Sequence, residues 1–153
     1  MATKKMAIIA TKGALDMAYP PLILASTAAA LGWEVQIFFT FYGLQLLRKD
    51  LSGIQISPVA NPAMPMPMPM PVVVSVLPGM QAMATSMMKG KITKKGVASL
   101  EELRSLCLEA DVKFVACQMT VDLFDFQKSD FIDGIEFGVA ATFLGFAGNT
   151  DVC

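Results

Sequence analysis

Apolar positions arrive in short runs separated by longer segments with helical spacing. Lys5 to Thr11, "KMAIIAT", is a brief apolar run rich in isoleucine, followed by a glycine and a long alanine/leucine segment. Strand, loop and helix are the predicted elements. Pro20 and Pro21 suit the first turn of that helix, where a missing N–H does least harm, and Gly32 is placed to stop it. The helix should therefore run from about Pro20 to Leu31. Trp33 to Phe41, "WEVQIFFTF", follows at once, and its aromatic and β-branched residues predict a second strand. "YGLQLLRKD" carries Leu44, Leu46 and Leu47 with basic residues near its end, which predicts a short helix whose dipole is complemented. Ile54 to Pro58 is a candidate third extended piece.

The centre of the chain breaks this rhythm. From Met64 to Pro71 methionine alternates with proline, and proline at every second place favours an extended backbone without ladder bonds. The stretch from about 59 to 78 reads as an insertion: a semi-rigid connector whose methionines cover apolar surface, or a segment that docks a partner or forms an oligomer. Val72 to Val76, "VVVSV", is a further strand or an extended continuation. After Pro78 and Gly79 a helix begins with Met80, Met83, Met87 and Met88, a stripe that at this spacing signals packing.

Helix signals are clearest in "SLEELRSLCLEAD". Ser99 stands at the N-cap, Glu102 at the capping-box position, and apolar residues fall at 100, 103, 106 and 107. Cys107 lies on that stripe, as a small buried thiol would. Then come the strand "KFVAC", a helical region from Thr120, a turn at "KSDF", a short "GIEFG", and a last helix from Val139 to Ala147 ended by Gly148 and Asn149. "TDVC" reads as the start of a final strand, with Cys153 at a tail or edge. The alternation predicts one α/β domain over 1–153, a mainly parallel sheet with helices on both faces and right-handed connections.

Composition narrows what such a domain can do. The chain has 12 basic and 13 acidic side chains, and its densest basic run, Lys89 to Lys95, reads as a solvated turn, so nothing draws it to nucleic acid. A hydrophobic fraction of 54% raises the question of a membrane. Tyr19 to Trp33 is uncharged but shorter than the ~18–20 residues a span needs. Val59 to Met88 is interrupted by Pro62, Pro65, Pro67, Pro69, Pro71 and Pro78, which would leave backbone groups unpaired in lipid. Surface attachment of the Met-rich part is the remaining membrane alternative. The N-terminal apolar run is too brief for a signal-peptide core, and a cytoplasmic protein is expected.

The chain has no histidine, which removes Cys-His and Ser-His catalysis and histidine-containing metal sites. No metal or other cofactor is expected. "ATKGALD" lacks both glycine-rich nucleotide motifs, although the pattern alone leaves a flavin open. The three cysteines, Cys107, Cys117 and Cys153, form no C-x-x-C and are expected to be reduced. In open parallel sheets, sites gather beyond the carboxyl ends of the strands. Cys117 occupies such an end. A helix start capped by Thr120 would bring free amides close to the sulfur and favour the thiolate, the form that attacks or accepts sulfur. By the same rule the first strand contributes Lys12, Gly13, Asp16 and Tyr19, the second contributes Thr40, Tyr42 and Gly43, and Gln118 and Thr120 follow the cysteine itself. Lys12 is a candidate to steady a thiolate or a bound anion, or is a solvated loop charge. Asp122 complements the helix dipole rather than acting as an acid. These patterns leave Cys117 either a working thiol or an inert, half-buried one.

"TKGALDMAYPPLILASTAAALGWEVQIFFTFYGLQLL", "LPGMQAMATSMMKGKI", "GVASLEELRSLCLEADVKFVACQMTVDLF" and "DGIEFGVAATFL" together resemble the DsrE/DsrF-like sulfur-relay family, in its stand-alone branch with a Met/Pro insertion. The resemblance covers nearly the whole chain. It implies a small α/β domain with flavodoxin-like layering, commonly a homo-oligomer, that carries sulfur as a persulfide on a cysteine at the end of a central strand. The matching residue is Cys117 in "ACQMT". Sulfur donor and acceptor proteins are the implied partners, with the protein acting as a sulfur carrier or sulfurtransferase. The alternatives are a non-enzymatic oligomeric module with a Met/Pro docking segment and, more remotely, a flavin-binding protein.

Overall fold

The computed structural model describes residues 2–58, 61–65, 67–68 and 70–153. Positions 59, 60, 66 and 69, four members of the expected Met/Pro insertion, lie outside the described residues. Strands β1 (Lys5–Ala10), β2 (Glu34–Phe39), β3 (Lys113–Cys117) and β4 (Glu136–Gly138) form one parallel sheet in the order β1-β2-β3-β4. Helices α1 (Leu15–Ala30), α2 (Val72–Ser75), α3 (Met80–Lys94), α4 (Leu100–Glu109), α5 (Gln118–Leu123) and α6 (Ala140–Ala147) complete the layers, with 3-10 turns at Phe41–Leu47 and Lys128–Asp130.

Strand alternation sorts side chains onto two unequal faces. On one face Val35, Ile37, Phe39, Phe114 and Ala116 pack against Leu22, Ala25 and Ala28 of α1 and Leu103 and Cys107 of α4. The alanines of α1 let its backbone lie close to the sheet. On the other face Ala7, Phe38, Val115 and Cys117 cluster with Phe143 and its neighbours on α6. Phe38 and Phe143 stack at 5.0 Å. The chain thus lays down its strands with α1 and α4 on one side and returns across the other side through α6. It ends against the outer edge of β1, where the Ala7 N–H donates to the Val152 carbonyl at 2.9 Å and the Lys5 N–H to the Asp151 carboxylate at 2.8 Å. "TDVC" therefore does extend the sheet, by a single bridge.

Several elements differ from the sequence expectation. α1 begins at Leu15, five residues ahead of Pro20, because its first amides find partners elsewhere: the Leu15 N–H donates to the Gln55 carbonyl at 2.8 Å. Asp16 fixes the same junction by accepting from the Ser57 N–H at 2.7 Å and the Ser57 hydroxyl at 2.8 Å. Pro20 and Pro21 thus sit inside the helix. Ile54 to Pro58 is not a strand; buried Ile54 and Ile56 hold it against the core. "VVVSV" is the short helix α2, begun by extended Pro71 and lacking any neighbouring strand. The capping box at Ser99 and Glu102 forms as expected, with both reciprocal hydrogen bonds in place.

Two glycines let the loops after β1 and β2 interlock at the carboxyl end of the sheet. A Cβ at Gly43 would collide with the Ala10 carbonyl, and one at Gly13 with the Tyr42 carbonyl. Buried Arg104 closes the other end of the same turn, donating to the Leu46 carbonyl at 2.9 Å and the Arg48 carbonyl at 2.6 Å. Gly43→Ala should lower stability by about 1–3 kcal/mol in denaturant unfolding, because backbone must move to admit the methyl. Gly53→Ala, where nothing lies within 4 Å, should leave the midpoint nearly unchanged.

Candidate functional site

β2 and β3 are in parallel register with Phe39 opposite Ala116, so Thr40 and Cys117 leave the sheet side by side. Cys117 is the last residue of β3 and the N-cap of α5. Its side chain points to the thinly covered face, and the residue is 4% exposed. Burial alone would push the thiol up. The Thr120 hydroxyl and amide, the Thr40 hydroxyl and the Met119 amide near the sulfur favour its charged form and outweigh that burial, so the Cys117 thiol is held below its ordinary value.

The two hydroxyls form a relay with a fixed direction at one end. The Phe41 N–H donates to Thr120 Oγ1 at 3.3 Å, and the Thr40 and Thr120 oxygens are 3.1 Å apart. Phe41 holds this amide in place with φ at +48°, a backbone conformation non-glycine residues rarely adopt. Only two hydroxyl protons exist in the network. One bridges the two oxygens, with either hydroxyl able to donate, and the Phe41 amide takes an acceptor position on Thr120. Thr120, 0% exposed, is the third residue of α5 rather than its cap. The helix starts earlier than the sequence suggested, directly at the end of β3, with Cys117 in the N-cap position and no side-chain hydrogen bond at that cap.

The remaining sequence candidates are distributed differently. Gln118 is half-buried beside the cysteine and donates to Asp122 at 2.7 Å, so the pair fastens the outer side of α5. Tyr42 stacks on Phe124 at 6.1 Å, and Phe41 meets the same ring edge-on, forming an aromatic flank beyond α5. Gly13 and Gly43 shape the loop contact described above. Lys12 is exposed and forms no ion pair among the described residues. Asp16 is engaged with Ser57, and the Tyr19 hydroxyl donates to the Ala98 carbonyl at 3.1 Å. Tyr19 borders a cavity of about 690 Å³ between α1, α3 and α4, and none of Thr40, Cys117 or Thr120 lines it. The residues that sequence reasoning passed over are Met119 and Phe41, which act through backbone amides. A backbone donor leaves no trace in side-chain type, and a strained phenylalanine lacks the usual Gly or Asn signal for positive φ.

No second thiol is positioned to react with Cys117. Cys107 lies on the opposite face of the sheet in the α4 stripe, donates to the Leu22 carbonyl at 3.4 Å, and is pushed up to about 11 by burial. Cys153 is exposed and follows the Val152–Met6 bridge, several residues below and three strand spacings away from Cys117, roughly 20 Å by strand rise and spacing. No group of three or more potential metal-ligating His, Cys, Asp or Glu side chains occurs among the described residues.

Comparison with known proteins agrees with this architecture over its full length. The chain is 64% identical over 157 residues to the sulfur carrier protein DsrE2 of Allochromatium vinosum, covering 100% of this chain and 98% of the relative. It is 32% identical to the uncharacterized protein YrkE of Bacillus subtilis, covering 95% of this chain and 92% of that protein. The crystal structure of the ychN protein from E. coli superposes with a TM-score of 0.54 at 11% identity, covering 98% of this chain and 97% of that one, a likeness of fold. A family model matches residues 2–153, and on that match and the full-length identity the chain belongs to the DsrE/DsrF/DrsH-like family.

Proposed function

We propose that this protein is a sulfur carrier in which Cys117 holds one sulfane sulfur and passes it to the thiol of a partner protein. The observation that carries this reading is a thiol at the end of a parallel strand and the start of α5, beside the paired Thr40 and Thr120 hydroxyls, in surroundings that lower its pKa despite its burial. The name of the Allochromatium vinosum relative, a sulfur carrier protein, supports it. The Cys117 thiolate attacks the outer sulfur of a donor persulfide. A new S–S bond forms at Cys117, the donor's S–S bond breaks, and the donor leaves as a thiolate. The acceptor repeats the exchange in the opposite direction, so no net electron transfer occurs and no cofactor enters the balance. The donors that favour the thiolate also suit the terminal anion of the persulfide.

A carrier that cannot resolve its own adduct must deliver it outside. Cys107 is shielded by the sheet and Cys153 is far away, so the bound sulfur leaves only to a partner's thiol. The partner approaches the thinly covered face, where Met119 is 59% exposed and Val139, one residue past the register partner of Cys117, is 51% exposed. Exposed Ile9 and Leu144 widen this apolar surface, which also suits a second copy of the chain, so that a homo-oligomer fits the same reading. The reduced thiols fit a cytoplasmic location; no described helix is long and apolar enough to cross a membrane.

Intact-mass measurement after incubation with a polysulfide should show one added sulfur atom on the wild type and none on Cys117→Ser. An unmodified wild type, or equal loading of the variant, would contradict the assignment. The hydroxyl relay has its own test. Thr120→Val should slow alkylation of Cys117 near neutral pH roughly tenfold, since it removes a hydroxyl near the sulfur that favours the thiolate. Thr120→Ser should react close to the wild-type rate. Equal rates for all three proteins would remove the relay from the account.

A further inference from the structure

The Met-rich middle of the chain has a function of its own to explain. From Leu51 to Leu100 the sequence contains Lys89, Lys91, Lys94 and Lys95 and no aspartate or glutamate, while all 13 acidic side chains lie elsewhere. A 50-residue segment of one sign, in a chain whose net charge is −1, separates basic from acidic side chains along the sequence. Its apolar residues are also unusually open: Val72 is 71% exposed, Val73 and Val76 are both 74%, and on α3 Met83 is 53% and Met87 65% exposed.

Hydrogen bonds on the opposite side of α3 explain this orientation. The Thr85 hydroxyl accepts from the Ile56 N–H at 3.2 Å, and the Gln81 side-chain amide donates to the Ile56 carbonyl. The segment they grip is itself tied to α1 through Asp16 and Ser57. With Thr85 held inward and Ala84, Met88 and Ile92 against the core, Met83 and Met87 face out. Helical geometry continues that line from Met80, Met83 and Met87 to Lys91 and Lys94. The stripe expected to pack thus packs only at its edge and otherwise forms an open face that runs from apolar to basic.

We propose that α2 and α3 form a docking face for an anionic lipid surface, with the valines and methionines entering the boundary of the acyl chains and the lysines meeting the headgroup phosphates. Charge and composition favour lipid over a protein partner. Long lysine stems cover apolar surface while their ammonium groups reach the headgroups. Protein interfaces concentrate aromatic residues, arginine and methionine and are poor in lysine, so the exposed lysines and the lack of aromatics and arginine separate this face from one. Between Leu51 and Leu100 there is no Phe, Tyr, Trp or Arg. The valines, methionines and lysines this face exposes are apolar or cationic, which suits a fluid anionic surface. The proposal is independent of Cys117.

The test is co-sedimentation of the full chain with vesicles of phosphatidylcholine alone or of phosphatidylcholine mixed with phosphatidylglycerol. The wild type should bind the mixed vesicles, bind the neutral ones at least tenfold more weakly, and be released by salt. Met83→Ser with Met87→Ser should weaken binding about tenfold. Lys91→Glu with Lys94→Glu should weaken it roughly thirtyfold. All substituted side chains are exposed, so circular dichroism and sulfur loading should be unchanged in both variants. Absence of vesicle binding, or equal retention of both variants, overturns the proposal. So does a wild type that ignores vesicles but self-associates and becomes monomeric on the methionine substitutions, since the face would then belong to a protein interface.

Discussion

The parallel register of β2 and β3 is the constraint on which the site depends. Pairing Phe39 with Ala116 brings the next residue of each strand to the same edge, so a hydroxyl arrives beside a thiol without any loop having to aim it. A shift of one residue would turn Cys117 from the α6 face to the α4 face, among residues such as Phe114 and Leu103. Register in turn rests on the buried alternation of β2, which is covered on both sides along most of its length. The interlocked glycines and Arg104 then hold the turn after β2 in position, and with it the amide of Phe41. Long-range packing thereby fixes a hydrogen-bond geometry of a few ångströms.

The two faces of the sheet divide the labour between stability and contact. Most of the core, including α1, α4 and Cys107, is on one side. The other side carries one short helix, a small cluster and the sulfur. A buried cysteine under a heavy helical layer would be stable and inert, as Cys107 is. Cys117 instead lies near an edge that another protein can approach. Burial opposes its ionisation, yet the Thr120 and Thr40 hydroxyls and the Thr120 and Met119 amides near the sulfur favour the thiolate and bring its pKa below the ordinary value.

Much of this was legible in the sequence. "KMAIIAT", "WEVQIFFTF" and "KFVAC" marked the three longer strands because burial on one or both faces leaves dense β-branched and aromatic runs. "SLEE" marked α4 because its capping box is purely local. The start of α1 was obscured, since Pro20 and Pro21 look like a helix beginning while the true start is secured by Gln55 and Ser57, about 40 residues away. α2 was obscured for the opposite reason: valines predict a strand, but no strand lies beside them. At the site, Cys117 and its neighbours Thr40 and Thr120 followed from the strand-end rule. Asp16 and Tyr19, named by the same rule, sit on a helix whose first turns lean toward Ser57 and Ala98 instead. Sequence order lists the loops at a sheet edge, whereas the direction each side chain takes depends on contacts made far along the chain.

The central claim is that the folded protein holds Cys117 as a ready thiolate, and direct titration of thiolate absorbance tests it. Cys153→Ser removes the exposed thiol, and burial pushes Cys107 up to about 11, so the first transition in that variant belongs to Cys117. The account predicts a midpoint below that of an ordinary cysteine in the folded protein, returning to the ordinary value on unfolding in denaturant. A folded-state midpoint at or above the unfolded one would contradict it.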